Sequence, residues 1–319
     1  IKLPANMNKK REYKGKSIDE LLNMDIPEEH GLSHNSINNN LIRIGTFFKW
    51  AEDNGYVDKN PISGLTLGKK KRASEERQAF NQDDLKNLFE SAEYKKGFGE
   101  AHRYWVPIIG LYTGARLEEI CRLRLEDFKL DSAIPYISIE PYFDEIFNVQ
   151  LKLKTVNSRR FVPLHPDLKE FGLFDYIEGL KKSGFYKLFP ELILARDGFG
   201  GRVSNWFRRF KERNLSDNES GKKTFHSFRH TFINRLVKNS IDNRIIADAV
   251  GHSENKNETL SESYIDEAEL SELYDAVKTL KYNIIKYAPK MRQVSDDLVS
   301  YSQTYTIKKP NQLKPSTMR

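Results

Sequence analysis

The chain has 319 residues, of which 38% are hydrophobic and 30% are charged, and its formal net charge is +7. This composition excludes a disordered chain, and the length favours two domains because a single core rarely grows past roughly 250 residues. Its single cysteine, Cys121, excludes an internal disulfide framework, and no apolar run reaches the roughly 18 residues of a membrane span. Positive charge favours a polyanionic partner such as nucleic acid, although a basic protein without such a partner fits the charge equally well.

The cysteine usage and the absence of a signal peptide or membrane span predict a cytoplasmic location. The chain begins at Ile1 rather than at Met, so we expect it to lack the native N-terminal part of its protein.

The N-terminal region predicts one long helix after a polar segment. Residues 1–30 are lysine-rich, and their apolar residues to bury are Ile18, Leu21 and Leu22. Ser33 is an N-cap candidate for an apolar pattern of helical spacing, which should end at Asn54 because Gly55 follows it. The next stretch, residues 68–76, is charged and poor in apolar residues, and it is the best candidate for a domain boundary.

The second half predicts further helices. Asn81 is an N-cap candidate for the first, and residues 101–112 form a pattern that is apolar on most sides. Gly114 should break that helix before the one that carries Arg116 and Glu119. Further helical patterns cover residues 168–183, 204–213, 226–239 and 243–250, and a last amphipathic one runs from about 267 to 285.

Three segments between these helices alternate with the period of a strand, namely residues 136–139, 149–154 and 160–164. They indicate a small antiparallel sheet. The sequence therefore predicts a mainly α fold with one small antiparallel β-sheet, followed by a polar tail over residues 288–319.

Two arginines have neighbours that suit the binding of a phosphodiester. A guanidinium fork matches phosphate geometry and stays ionised at neutral pH. Arg116 lies at a helix start, where backbone dipoles add positive potential, and Glu119 is close enough on the same face to orient it. Arg229 lies three residues after His226. Taken alone, Arg116 fits an ordinary surface arginine equally well.

Histidines complete this group. His226 can accept a proton or hydrogen-bond a phosphate because its pKa lies near neutrality. His252 follows Gly251 at a helix C-terminus, where it would either donate to phosphate in its cationic form or simply cap the helix. His226 and His230 have the i, i+4 spacing of zinc ligands, but no glutamate lies between them and no third ligand is evident. We expect neither a metal nor a cofactor.

These motifs together resemble the tyrosine recombinase, or phage integrase, family. The strings that carry the resemblance are, in chain order, Thr113-Gly-Ala-Arg-Leu-Glu-Glu119, Lys152-Leu-Lys-Thr155, His226-Ser-Phe-Arg-His-Thr231, Gly251-His252 and Tyr264. The resemblance spans about residues 33–285. It implies a partial helical core-binding domain over 1–67, a basic linker over 68–80 and a catalytic domain over 81–287.

The resemblance implies an enzyme that cleaves and rejoins DNA strands at specific sites through a 3′-phosphotyrosyl intermediate. Such an integrase of a phage or other mobile element would act as a homotetramer on synapsed double-stranded DNA. Accessory DNA-bending or directionality proteins are candidate further partners, and the location would be cytoplasmic and nucleoid-associated.

The resemblance also implies the role of each site residue. Arg116 and Arg229 would bind the phosphate, Glu119 would orient Arg116, and Tyr264 would be the nucleophile. The histidines of the site would be His226 and His252. Lys154 would be the general acid, with Lys152 as its competitor because both lie on one strand face. The interval between His252 and Tyr264 is longer than is usual in the family, and we interpret residues 254–258 as a short insertion.

Two other functions fit these residues. One is a type IB topoisomerase that relaxes DNA, and the other is a catalytically inactive DNA-binding protein on the same fold. The helix predicted over 267–285 also has two interpretations. We expect it to contact a neighbouring protomer, with packing on its own domain as the alternative.

Overall fold

A computed structural model describes residues 4–27, 30–68, 78–153, 158–216, 223–252 and 267–284. The chain divides into two compact units, residues 1–76 and 77–319. Across the described ranges, helices are too short or too polar to cross a membrane.

The first unit contains a short helix α1, Ile18–Leu22, and a long helix α2, His34–Asp53. The side chain of Ser33 accepts a hydrogen bond from the backbone N–H of Ser36, and Asn54 is the C-cap, so the predicted bounds of this helix are confirmed. A small cluster of Tyr13, Leu21 and Ile26 forms the core of residues 4–27.

Of the three apolar residues that the sequence predicts to be buried in this segment, only Leu21 is buried. Ile18 and Leu22 are 59% and 42% exposed. The reason is the length of α1, since a helix of five residues turns only a narrow strip towards the cluster, and Leu21 occupies that strip.

The helices of the second unit surround one buried helix. They are α3 Gln82–Phe89, α4 Ala92–Lys96, α5 Ala101–Thr113, α6 Leu117–Cys121, α7 Pro166–Glu170, α8 Leu173–Lys182, α9 Gly200–Asn214, α10 Ser227–Lys238, α11 Asn243–Val250 and α12 Glu267–Lys278. Every residue of α5 except Arg103 is buried, which confirms the prediction of a buried helix there. Asn81 caps α3 as predicted, through a hydrogen bond from the N–H of Asp84.

Two small antiparallel sheets lie between α6 and α7. The first contains β1 Phe128–Lys129, β2 Tyr136–Ile139 and β5 Arg160–Pro163, in the order β1-β2-β5. The second pairs β3 Tyr142–Asp144 with β4 Val149–Leu151. The predicted class, mainly α with a small antiparallel sheet, is confirmed.

The strand predicted over 149–154 differs in partner and length. It belongs to the second sheet, and it ends at Leu151, which pairs with Tyr142. Pro141 precedes Tyr142 and has no backbone N–H, so it cannot extend the ladder. The helix predicted over 168–183 is also wrong as one element, because Gly172 adopts φ +90° and separates α7 from α8.

The last helix is shorter than predicted and packs on its own unit. It ends at Lys278, and the chain then continues without regular structure to residue 284. Leu280, Tyr282 and Ile284 are buried while the residues between them are exposed, an alternation that a continuing helix would not give. Their side chains join the main core, which favours the alternative that this stripe packs on its own domain.

Gly114 fixes the junction between α5 and the first candidate arginine. It is the C-cap of α5 with φ +61°, a left-handed conformation that favours glycine. A Cβ atom at this position would lie 2.7 Å from Cδ1 of Phe232 on α10, closer than carbon atoms approach. The bare backbone of Gly114 is therefore required both by its conformation and by its contact with α10.

Gly114→Ala should destabilise the protein more than Gly184→Ala. Both glycines have positive φ, but a Cβ at Gly184 would meet no atom within 4 Å. The left-handed conformation alone costs about 1–2 kcal/mol for alanine, and the clash with Phe232 should add roughly 1–3 kcal/mol. Urea unfolding of the two variants measures the difference. Equal losses would contradict the close packing of α5 on α10.

Candidate active site

Arg116 is the N-cap residue of α6 and is held by Glu119. Its Nη1 donates to Oε1 of Glu119 at 2.7 Å and to Oγ of Ser158 at 3.2 Å. Its backbone N–H donates to Oε2 of Glu119 at 2.9 Å. Both oxygens of one carboxylate therefore fix the backbone and the side chain of Arg116, in the contact that the i, i+3 spacing suggested.

Arg160, at the start of β5, is the second partner of Glu119. Its Nη2 donates to Oε2 of Glu119 at 2.8 Å, and the side chains of Arg160 and Glu119 are only 1% and 6% exposed. Burial alone would raise the pKa of Glu119, but the charges and hydrogen bonds of Arg160 and Arg116 outweigh it and lower the pKa to about 2. Glu119 is thus ionised throughout the neutral range.

Arg229, in the first turn of α10, is 1% exposed and joins two other elements. Its Nη1 donates to the carbonyl oxygen of Gly114 at 2.9 Å, and its Nη2 donates to that of Val250 at 2.5 Å. Within the described part of the chain, no acceptor reaches its buried Nε. An unsatisfied buried donor is costly unless a ligand supplies an acceptor.

The environment of Arg229 is strongly positive. Its burial, followed by the charges of Arg160 and Arg116, lowers the pKa of Arg229 to about 9, and Glu119 only partly opposes this. We call Arg116, Arg160, Arg229 and Glu119 the arginine cluster. Three guanidinium groups against one carboxylate leave this cluster ready to accept an anion.

The two candidate histidines lie at the ends of α10 and α11, the two helices that Arg229 connects. His226 is the N-cap residue of α10, is half-buried, and packs edge-on against the His230 ring at a centroid distance of 4.9 Å. His252 is exposed and follows the C-cap of α11, Gly251, whose φ is +67°. The backbone N–H of His252 donates to the carbonyl oxygen of Ala247 at 2.9 Å, which anchors this turn.

Two candidates lie outside the described residues, namely Lys154 and Tyr264. The competitor Lys152 is described. Its side chain is exposed just beyond β4, and its carbonyl oxygen accepts a hydrogen bond from Nη1 of Arg122 at 2.9 Å. The structure therefore brings Arg116, Glu119 and Arg229 together, and the positions of the lysine and the nucleophile remain predictions.

Sequence reasoning missed Arg160 and Ser158. Arg160 and the buried Val162 share one face of β5, and a charged residue on a buried strand face needs a partner, which was a usable signal. Ser158 carries no such signal in the sequence. Among the described residues, no three His, Cys, Asp or Glu side chains gather as a metal site would require.

Comparisons with known proteins show that this chain is similar to tyrosine recombinases. The chain is 23% identical over 263 residues to a tyrosine recombinase of Pseudothermotoga lettingae, covering 82% of this chain and 81% of that protein. It is 25% identical over 249 residues to tyrosine recombinase XerD of Staphylococcus aureus, covering 77% of each chain.

Two integrases are among the solved structures with partial similarity to this chain. One is the Tn1549 transposon integrase in complex with transposon right end DNA, at 21% identity and a TM-score of 0.48, covering 77% of this chain and 82% of that one. Another is a lambda integrase tetramer bound to a Holliday junction, at 18% identity and a TM-score of 0.46, covering 72% and 62%.

A sequence profile of the Phage integrase family matches residues 78–271, which is more than half of the chain and contains the whole arginine cluster. The chain therefore belongs to the phage integrase family of tyrosine recombinases, enzymes of site-specific DNA recombination.

Proposed function

We propose that this recombinase cleaves and rejoins DNA strands through a 3′-phosphotyrosyl intermediate formed on Tyr264. The observation that carries the proposal is the arginine cluster, in which Arg116 and Arg160 donate to one buried carboxylate and the buried Arg229 lies close enough to feel their charges. A phosphodiester gains negative charge on its non-bridging oxygens as it is attacked, and preorganised cations stabilise that charge. The buried Nε of Arg229 is a donor that such an oxygen would satisfy.

Each chemical step can be assigned to a residue. The phenol oxygen of Tyr264 attacks the phosphorus, and its proton passes to His226. The bond to the 5′-oxygen breaks, and Lys154 supplies the proton that this oxygen takes up. His252 donates to a non-bridging oxygen. In the reverse step, a 5′-hydroxyl of another strand attacks the phosphotyrosyl bond and restores Tyr264.

We propose double-stranded DNA as the partner and a homotetramer on synapsed DNA as the active assembly. The net charge of +7 supports a polyanionic partner, and exchange between two duplexes requires four cleaved strands. An origin in a phage or other mobile element and action on cytoplasmic, nucleoid-associated DNA belong to the same proposal, as do accessory DNA-bending proteins. Of these, only the origin in a phage or other mobile element has support in the name of the matching family, Phage integrase.

The domain roles follow the same proposal. Residues 1–67 would be the partial core-binding domain, 68–80 the basic linker, 81–287 the catalytic domain and 288–319 a polar tail. The division of the chain into units at residues 76 and 77 falls inside the proposed linker.

Tyr264→Phe should abolish the covalent protein–DNA adduct and leave DNA binding intact, since only the attacking oxygen is lost. A nicked suicide substrate, followed by denaturing electrophoresis, detects the adduct. Tyr274→Phe makes the same chemical change on α12 and is the matched control, which should form adduct normally. Adduct from the Tyr264 variant would assign the nucleophile elsewhere.

Arg116→Ala should slow single-turnover cleavage by about a hundredfold to a thousandfold, because one preorganised donor to the transition state is lost. Arg124 offers a matched control. Its Nη2 donates to Oδ1 of Asp127 at 2.7 Å and its backbone N–H to Oδ2 at 2.8 Å, the same i, i+3 arrangement outside the arginine cluster. Arg124→Ala should therefore leave the cleavage rate near the wild-type value, and equal losses in both variants would refute the role of Arg116.

Lys154→Ala should cleave slowly on ordinary DNA and near the wild-type rate on DNA with a 5′-bridging sulfur, because a thiolate leaves without being protonated. Lys152→Ala is the control and should show no selective rescue. The reverse pattern would assign the general acid to Lys152.

A further inference from the structure

Arg160 has no chemical role in the steps above, yet it is among the most buried charges of the described chain. Its side chain is 1% exposed at the start of β5. Burying a guanidinium is costly unless every polar group around it is paired, so the contacts of Arg160 indicate what it does.

All three nitrogen atoms of the Arg160 guanidinium donate to different parts of the site. Nη2 donates to Oε2 of Glu119 at 2.8 Å, Nη1 to the carbonyl oxygen of Ser158 at 2.9 Å, and Nε to the carbonyl oxygen of Ala249 at 3.1 Å. One planar group therefore joins α6, the segment before β5 and the last turn of α11. A planar fork of donors fixes the relative positions of these three elements.

The first of these contacts acts on Arg116 through Glu119. Oε2 of Glu119 accepts from both Arg160 Nη2 and the backbone N–H of Arg116, while Oε1 accepts from Arg116 Nη1. Without Arg160, this nearly buried carboxylate would lose its buried cationic partner. The burial of Glu119 would then oppose its ionisation, and its hydrogen bonds to Arg116 would weaken.

The third contact acts on the end of α11, which precedes His252. The carbonyl oxygens of Ala249 and Val250 accept from Arg160 and Arg229 respectively, so two arginines hold the C-terminus of this helix. Gly251 permits the approach, since a Cβ there would lie 3.2 Å from Nη1 of Arg160 and 3.2 Å from Cα of Ser158. The side chain of Arg160 therefore contacts both the arginine cluster and the end of α11, whose following turn carries His252.

We propose that Arg160 is a positioning residue, which holds Glu119, and through it Arg116, in register with the C-terminal end of α11. The proposal rests on the proposed cleavage chemistry, in which Arg116 binds the phosphate. Arg160 itself does not touch the DNA. It acts by keeping the phosphate-binding guanidinium of Arg116 in its productive geometry.

The test is a double-mutant cycle on the rate of covalent cleavage at saturating DNA. Arg160→Met should slow cleavage by about a hundredfold, the effect of a misplaced catalytic group, and leave the Kd for DNA near its wild-type value. When Arg116 is already removed, Arg160 has nothing left to position there. Arg116→Ala with Arg160→Met should therefore lose much less activity than the product of the two single losses, and the remaining loss should reflect the turn that carries His252.

Lys187→Met is the matched control, because Lys187 is 3% exposed and pairs with the buried Asp144 at 3.0 Å, in an ion pair outside the arginine cluster. It should lower the melting temperature as Arg160→Met does, and any effect on cleavage should add fully to that of Arg116→Ala. If Arg160→Met does not fold, Arg160→Lys enters the same cycle, since it retains the charge and loses the fork.

The outcomes separate the two proposals. Fully multiplicative losses for Arg160 and Arg116, or a loss confined to the Kd, would overturn the positioning role while wild-type cleavage upholds the proposed function. Absence of any covalent adduct from the wild-type protein on a suicide substrate would instead overturn the proposed function.

Discussion

The buried carboxylate of Glu119, shared between Arg116 and Arg160, is the interaction on which the site depends. It resolves a physical conflict, since binding a phosphate requires several like charges close together and those charges repel one another inside a protein. One carboxylate between two guanidinium groups offsets part of the repulsion without neutralising the site. Burial, and then the positive charges of Arg160 and Arg116, lower the pKa of Arg229, and Glu119 only partly opposes this.

The fold places this carboxylate by means of short, sharply ended elements rather than long ones. Helix α5 ends at its C-cap Gly114, whose carbonyl oxygen accepts a hydrogen bond from Arg229. Helix α6 begins two residues later, at the N-cap Arg116. Helix α11 ends at Gly251, with its last carbonyl oxygens held by Arg160 and Arg229. Helix ends leave backbone groups unpaired, and here the arginines that form the site satisfy them. The same hydrogen bonds therefore hold the fold together and orient the guanidinium groups.

Local spacing accounts for what could be predicted from the sequence. The contact between Arg116 and Glu119 follows from an i, i+3 relation, and the caps at Ser33 and Asn81 follow from residue type and the helical pattern after them. Long-range contacts account for what could not. Arg160 and Glu119 are 41 positions apart in the sequence, and no residue near Arg160 identifies Glu119 as its partner. The stripe at Leu280 and Ile284 fits a helix and an extended chain equally well, and only packing against the core decides between them. The roles of Lys154 and Tyr264 stay predictions.

The packing of the C-terminal stripe has a consequence for how the protein is made. The carbonyl oxygen of Tyr282 accepts a hydrogen bond from the side chain of Gln82, at the start of α3, and the ring of Tyr282 packs edge-on against Tyr112 of α5. The start of α3 and the last described segment of the second unit are therefore in contact. Because synthesis proceeds from the N-terminus, this core cannot be completed until residue 284 has left the ribosome. A nascent chain that still lacks residues 280–284 therefore cannot complete the core of the unit that carries the candidate active site.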